Sequence, residues 1–167
     1  RRARYKLYVS PTLPALPSAL EALLDVLDSR EVVSLKVGTT LPGLLRPDRL
    51  VIHFAEHAHL IEAGRVLANT LADVPAHGVP LTAPFGNSSL LSWGVDPESG
   101  GSVNERISWR MWLSQLLAFA LFTARVNSTR GVVPEAFALA RLRLEGVDPA
   151  TLAPTDEFSI LHGAESG

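Results

Sequence analysis

The chain has no cysteine and, among its 167 residues, one methionine and two tyrosines. Without thiols there are no disulfides, no thiolate nucleophile and no cysteine-based metal site, and the redox compartment is left undetermined. No apolar run is long enough for a bilayer. The most hydrophobic stretch, MWLSQLLAFALFTARV from Met111, is shorter than the roughly 20 residues a span needs and carries Ser114 and Gln115. It reads as a buried helix, with its Leu/Ala/Phe run as core. Charge of one sign is missing as well: a formal charge of −2 provides no global basic field, which disfavours a generic nucleic-acid binder but leaves room for a patch that holds one anion. The opening RRARYKLYVS offers neither an initiator methionine nor an apolar secretion signal, so the expectation is a trimmed chain or a piece of a larger protein, cytoplasmic by default and without a membrane partner.

What is present, 47% apolar residues, suffices for one real core, and the chain 1–167 reads as a single domain with a mobile tail over 156–167. RYKLYVS alternates and predicts a strand, with Tyr5, Leu7 and Val9 on the buried face and Arg4, Lys6 and Tyr8 on the other. LPSALEALLDVLDSR carries Leu20, Leu23, Leu24 and Leu27 at helical spacing, with Ser18 as N-cap. A second strand sets Val33, Leu35 and Val37 against Val32, Ser34 and Lys36. A third, after a Gly/Pro-bearing loop over 38–48, sets Leu50, Ile52 and Phe54 against Arg49, Val51 and His53. HAHLIEAGRVLANTLAD is a second helix. The stretch from Pro75 to Gly101 is rich in Pro, Gly, Ser and Asn, holds one possible strand in LLSWGV, and reads as an ordered loop beside a site. ISWRMWLSQLLAFALFTAR is a central helix, and VPEAFALARLRLEGV a final one with Pro134 near N1 and Gly146 at its stop. The predicted class is α+β: a two-layer sandwich of a small, mostly antiparallel sheet with helices on one face, followed by a C-terminal helical part.

If the apolar faces of the three strands all lie under the helices, Arg4, Lys6, Lys36, Arg49 and His53 project together from the other side of the sheet. Asp48 and Glu56 fall only at strand ends. Solvated residues placed independently would bring acids as often as bases, so the convergence suggests an anion site, most simply for phosphate; each cation is equally readable as an ordinary solvated residue. Arg110, between Trp109 and Trp112 at the head of the apolar helix, either reaches for the same anion, pairs with Asp96, Glu98 or Glu105, or stacks on a tryptophan. Other constellations are weaker. His53, His57 and His59 resemble a metal cluster, but His57 and His59 are two apart on a helix and face different ways, so no metal is expected. Ser92 and Ser108 lack a nucleophile elbow, and neither a P-loop nor a dinucleotide fingerprint occurs.

The ordered run RYKLYVS, helix, SLKVG, Arg-bearing loop, LVIHF, helix, GVPLTAP…SWGVDP…SWR, over roughly residues 4 to 112, resembles the phosphothreonine lyases of type III secretion, the HopA-type effectors, and the lyase proteins or domains of lanthipeptide and thioamitide biosynthesis. The resemblance implies β-elimination of phosphate from phosphoserine or phosphothreonine in a precursor peptide, leaving a dehydroamino acid, with no metal or organic cofactor and with a kinase on another chain or domain as partner. It implies Lys36 as the base at the α-carbon, a role open to a lysine whose neutral form is favoured by nearby cations and partial desolvation. It places Arg46 or Arg49, with Arg46 the better fit, and Arg110 on the phosphate, and Arg4 as a further basic contact. One position departs. The effector lyases have a histidine acid where this chain has Lys6; a protonated lysine can donate to the leaving phosphate, His53 and Tyr8 are substitutes on the same face, or elimination is impaired. The alternatives are therefore a catalytically silent module that binds phosphopeptide or leader peptide and scaffolds the kinase, and a plain interaction domain.

Overall fold

The computed structural model describes residues 3–97, 107–126, 131 and 133–161. In chain order the elements are β1 (Tyr5–Val9), α1 (Leu16–Leu27), β2 (Ser34–Val37), α2 (Leu41–Leu44), β3 (Leu50–Phe54), α3 (His57–Thr70), β4 (Ala83–Pro84), β5 (Leu91–Val95), α4 (Trp109–Val126), α5 (Pro134–Leu144) and α6 (Asp156–Leu161). The chain read as one domain divides into two compact units, Arg1–Pro80 with Pro84–Gly94, and Leu81–Ala83 with Val95–Gly167. The class is α+β, and the antiparallel sheet has the order β2-β3-β1-β5-β4.

In the first unit the alternating residues do what their period requires. Leu7 and Val9 of β1 and Leu50, Ile52 and Phe54 of β3 are fully buried, and they meet Ala19 and Leu23 of α1 and Leu60, Ala63 and Leu67 of α3 in one cluster. Each large side chain so buried is worth about 1.5–3 kcal/mol relative to exposure. Both helices belong to this one face of the sheet. The start of α1 differs from the sequence reading: Ala15 is the N-cap, without a side-chain bond, and Pro17 lies in the first turn, where its fixed φ and missing N–H suit it. Ser18 is thereby drawn inside the helix, where its hydroxyl donates to Ala15 O at 3.1 Å. The buried stripe shifts to Ala19, Leu23, Val26 and Leu27, while Leu24 is 51% exposed.

The loop over 38–48 hides the short helix α2, started by Thr40, whose Oγ1 accepts from Gly43 N at 3.3 Å. This turn folds back so tightly that a Cβ at Gly38 would overlap the Gly43 carbonyl. LLSWGV forms β5 as expected; the two-residue β4 was not expected.

In the second unit α4 packs against α5. α5 ends in a Schellman motif at Gly146, φ +73°, where Gly146 N donates to Arg143 O at 3.0 Å and Val147 N to Leu142 O at 2.9 Å. The reading of α4 as a buried helix fails. Only Trp109, Leu113, Ala120 and Ala124 of it are buried, while Phe119 and Phe122 are 69% and 66% exposed, because apolar residues occur all round this helix and only one stripe of it meets neighbours among the described residues. Even so, no helix among the described residues is long and apolar enough to cross a membrane. The expected tail also changes. Residues 156–161 form α6, whose Phe158 is buried edge-on to Trp109 and Trp112 at 5.3 and 5.4 Å between ring centroids. Residues 162–167 lie outside the described residues.

Two outcomes follow from the packing of the first unit. A Cβ at Gly64 of α3 would sit inside the Phe85 ring, so Gly64→Ala lowers stability by about 1–3 kcal/mol in urea unfolding, and adding Phe85→Leu restores much of it. His57 is stacked between Tyr5 and Trp93, at 5.3 and 5.0 Å between centroids, and the partial burial lowers its pKa from 6.5. The α3 N-terminus acts in the same direction. With a depressed native value, the unfolded chain binds the proton more tightly. Stability is therefore complete above pH 6.5 and falls as the pH drops through the native value. His57→Phe keeps a ring in the stack and flattens that acid-side slope, as read from urea midpoints against pH.

Candidate anion site on the sheet

Strand register decides which side chains share the second face of the sheet. Lys6 lies opposite His53, and His53 opposite Ser34, whose Oγ is 3.1 Å from His53 Nδ1. One row along, Tyr8 lies opposite Val51, and Val51 opposite Lys36. One row further, Arg49 lies opposite Gly38, which donates its N–H to Arg49 O at 2.8 Å. Arg4 extends the β1 pairing, its N–H donating to Phe54 O at 2.9 Å. Lys6, Lys36, Arg49 and His53 therefore share one face, as their alternation implied, while Arg4 precedes the regularly paired residues. Lys36 is diagonal to both Arg49 and His53, a separation of roughly 7–8 Å at the backbone that long side chains span.

This face is not uniformly open. Lys36 on the edge strand is exposed, and Arg4, Lys6 and His53 are partly exposed, but Tyr8 and Val51 are buried and Arg49 is only 2% exposed. Arg49 Nε donates to Arg46 O at 2.9 Å, while its Nη1 is buried without a hydrogen-bond partner. Among the described residues no carboxylate pairs with it. Arg46, the arginine favoured for the phosphate, is arranged in the opposite way. Its guanidinium is 59% exposed and forms a two-pronged pair with Asp48, Nε to Oδ1 and Nη2 to Oδ2 both at 2.9 Å, and this carboxylate raises the Arg46 pKa. Arg46 is already neutralised; Arg49 is a buried cation with no carboxylate partner among the described residues.

The turn that carries both arginines is held by a residue the sequence reading passed over. Ser10, fully buried just after β1, donates its hydroxyl to Pro47 O at 2.9 Å and Gly78 O at 3.2 Å. Its backbone bonds Leu90 O and His77 N. The available signal was a serine continuing a strand into Pro11, a position where a hydroxyl replaces lost ladder bonds.

Arg110 belongs to the second unit and the sheet cations to the first. At the head of α4, Asp96 Oδ1 accepts from Trp109 N at 2.9 Å and Ser108 Oγ from Met111 N at 3.4 Å, so both residues are helix caps. Glu98 and Glu105, named as carboxylates for Arg110, lie outside the described residues. The three histidines have separate surroundings: His53 faces Ser34, His57 is stacked, and His59 lies 3.7 Å from Glu31 and 3.9 Å from Glu56.

No protein-family model matches the sequence, and no curated protein matches it.

The arrangement can hold a small oxyanion beside an exposed amine and an imidazole. If it does, inorganic phosphate protects the chain against thermal unfolding by mass action, by about 1.4 kcal/mol at ten times the dissociation constant. Arg46→Ala keeps most of this protection and Arg49→Gln loses it, each compared with the same variant without phosphate. Equal losses would mean that the exposed arginine binds as much as the buried one.

Proposed function

We propose that the chain is a lyase that eliminates phosphate from phosphoserine or phosphothreonine in a precursor peptide, with Lys36 as base and Arg49 as principal phosphate anchor. The observation that carries this reading is Arg49: a buried guanidinium with no carboxylate among the described residues and a donor left unbonded is costly unless an anion arrives, and it lies on the same sheet face as Lys36. In the step itself the Lys36 amine takes the Cα proton. The released electron pair forms the Cα=Cβ bond, and the Cβ–O bond breaks with its pair leaving on the phosphate. A proton from Lys6 or His53 neutralises the leaving group, while Arg49 balances its charge. The partner that supplies the phosphorylated residue is a kinase. Nothing in this sequence of steps calls on a cofactor.

A second reading, a silent phosphopeptide-binding scaffold for that kinase, is favoured by Lys6 standing where the effector lyases carry their histidine acid.

Mass spectrometry of a phosphothreonine peptide incubated with the chain separates the two. The lyase removes the mass of phosphoric acid with or without chelator; Lys36→Ala lowers the rate by about 10²–10⁴-fold while the peptide stays bound. Binding of unchanged mass in the wild type would leave the scaffold.

A further inference from the structure

β2 is the outermost strand of the sheet, and its free side lies beside the cationic face. The hydrogen bond from Gly38 N to Arg49 O marks Gly38–Arg49 as a bonded pair, and in an antiparallel ladder such pairs alternate. Lys36–Val51 and Ser34–His53 are then bonded pairs too, which leaves the N–H and C=O of Leu35 and Val37 directed at the free edge. We propose that the peptide substrate adds to this edge as an antiparallel strand, with its phosphorylated residue opposite Lys36.

The pairing has a chemical consequence. On the outer side of β2, Lys36 occupies a non-bonded position, so the residue opposite it comes within roughly 4.5 Å between α-carbons. That residue's side chain projects on the same face as Lys36, whose amine, with Arg49 diagonal to it on β3, complements a phosphate. Main-chain bonds give such a strand affinity whatever its sequence, and alternate side chains give it specificity. At the Ser34 end of the edge lies a cavity of about 390 Å³ lined by Val32, Val33, Ala55, Arg30, Glu31 and His59, suited to an apolar side chain with a polar tip. At the other end the Gly38–Gly43 approach closes the edge. The occupant is thus a short extended segment carrying a phosphate at its centre; the choice of a phosphorylated residue rests on the lyase reading.

The probe is a short peptide of alternating valine and threonine with a central phosphothreonine, methylated at one backbone nitrogen at a time. N-methylation of either neighbour of the phosphothreonine removes an N–H aimed at β2 and weakens binding about tenfold, whereas methylation of the phosphothreonine itself leaves affinity unchanged. Amide exchange at Leu35 and Val37 slows on binding. Absence of binding, a loss that does not alternate along the peptide, or unchanged exchange at those two amides overturns the proposal. Elimination without alternation would keep the lyase and remove the edge; alternation without elimination would keep the edge and remove the lyase.

Discussion

Everything distinctive about this chain depends on the pairing of β3 with a neighbour on each side. Strand side chains alternate with a period of two, so one residue of slip in β2 or β1 would send Lys36 or Lys6 into the core and Leu35 or Leu7 into solvent. The register is held because Leu7, Ile52 and Leu35 share one row on the helix side, where the first two are fully buried. The same apolar contacts that stabilise the fold therefore array the cations on the opposite face. No separate device is needed to bring Lys6, Lys36 and Arg49 to one side of the sheet. Gathering like charges is unfavourable in itself, and the hydrophobic cluster supplies the free energy that holds them there.

Arg46 and Arg49 differ by three positions in sequence and by almost everything in environment. Pro47 and Asp48 make a turn in which the Asp48 carboxylate meets the Arg46 fork, while the Arg46 carbonyl turns back to accept from Arg49 Nε. One arginine is spent at the surface on a local pair, which contributes little to stability because water and salt screen it. The other is oriented and desolvated by the backbone of the first. A desolvated cation interacts far more strongly with an incoming anion than an exposed one, so the turn concentrates its electrostatic effect in Arg49.

Strands β1, β2, β3 and β5, the faces of β1 and β3, α3, α5 and the stop at Gly146 were legible in the sequence because each rests on a local rule: a period of two, a period near 3.6, or a glycine at positive φ; at the start of the second strand the rule failed, since Val33, expected on the buried face, is 43% exposed and Val32 packs against the core. The different surroundings of Arg46 and Arg49 were not legible, since they depend on which guanidinium a neighbouring aspartate reaches and which one the fold covers. α4 misled for a related reason. Met111, Phe119, Phe122 and Val126 are apolar, but hydrophobicity records what a residue tolerates, and burial requires a partner surface that no window of sequence contains. Phe158 was missed conversely: a terminal segment rich in polar residues reads as a tail, and only the contact with the Trp109 and Trp112 rings explains why its phenylalanine is buried.

The contrast between an exposed Lys36 and a buried Arg49 bears on how a proton-abstracting site on a sheet could work. An anion anchor gains from permanent burial, since its charge never changes during turnover. A base must be approached by a C–H bond, so it has to lie where a substrate backbone can reach it, and an edge strand is the one place in a sheet where another backbone can come that close. Short edges with a central lysine are also how sheets resist unwanted pairing with one another. These two roles are compatible. A lysine that repels a neutral or basic strand accepts an acidic one, so the residue that would guard the edge against self-association would also select a phosphorylated chain for it.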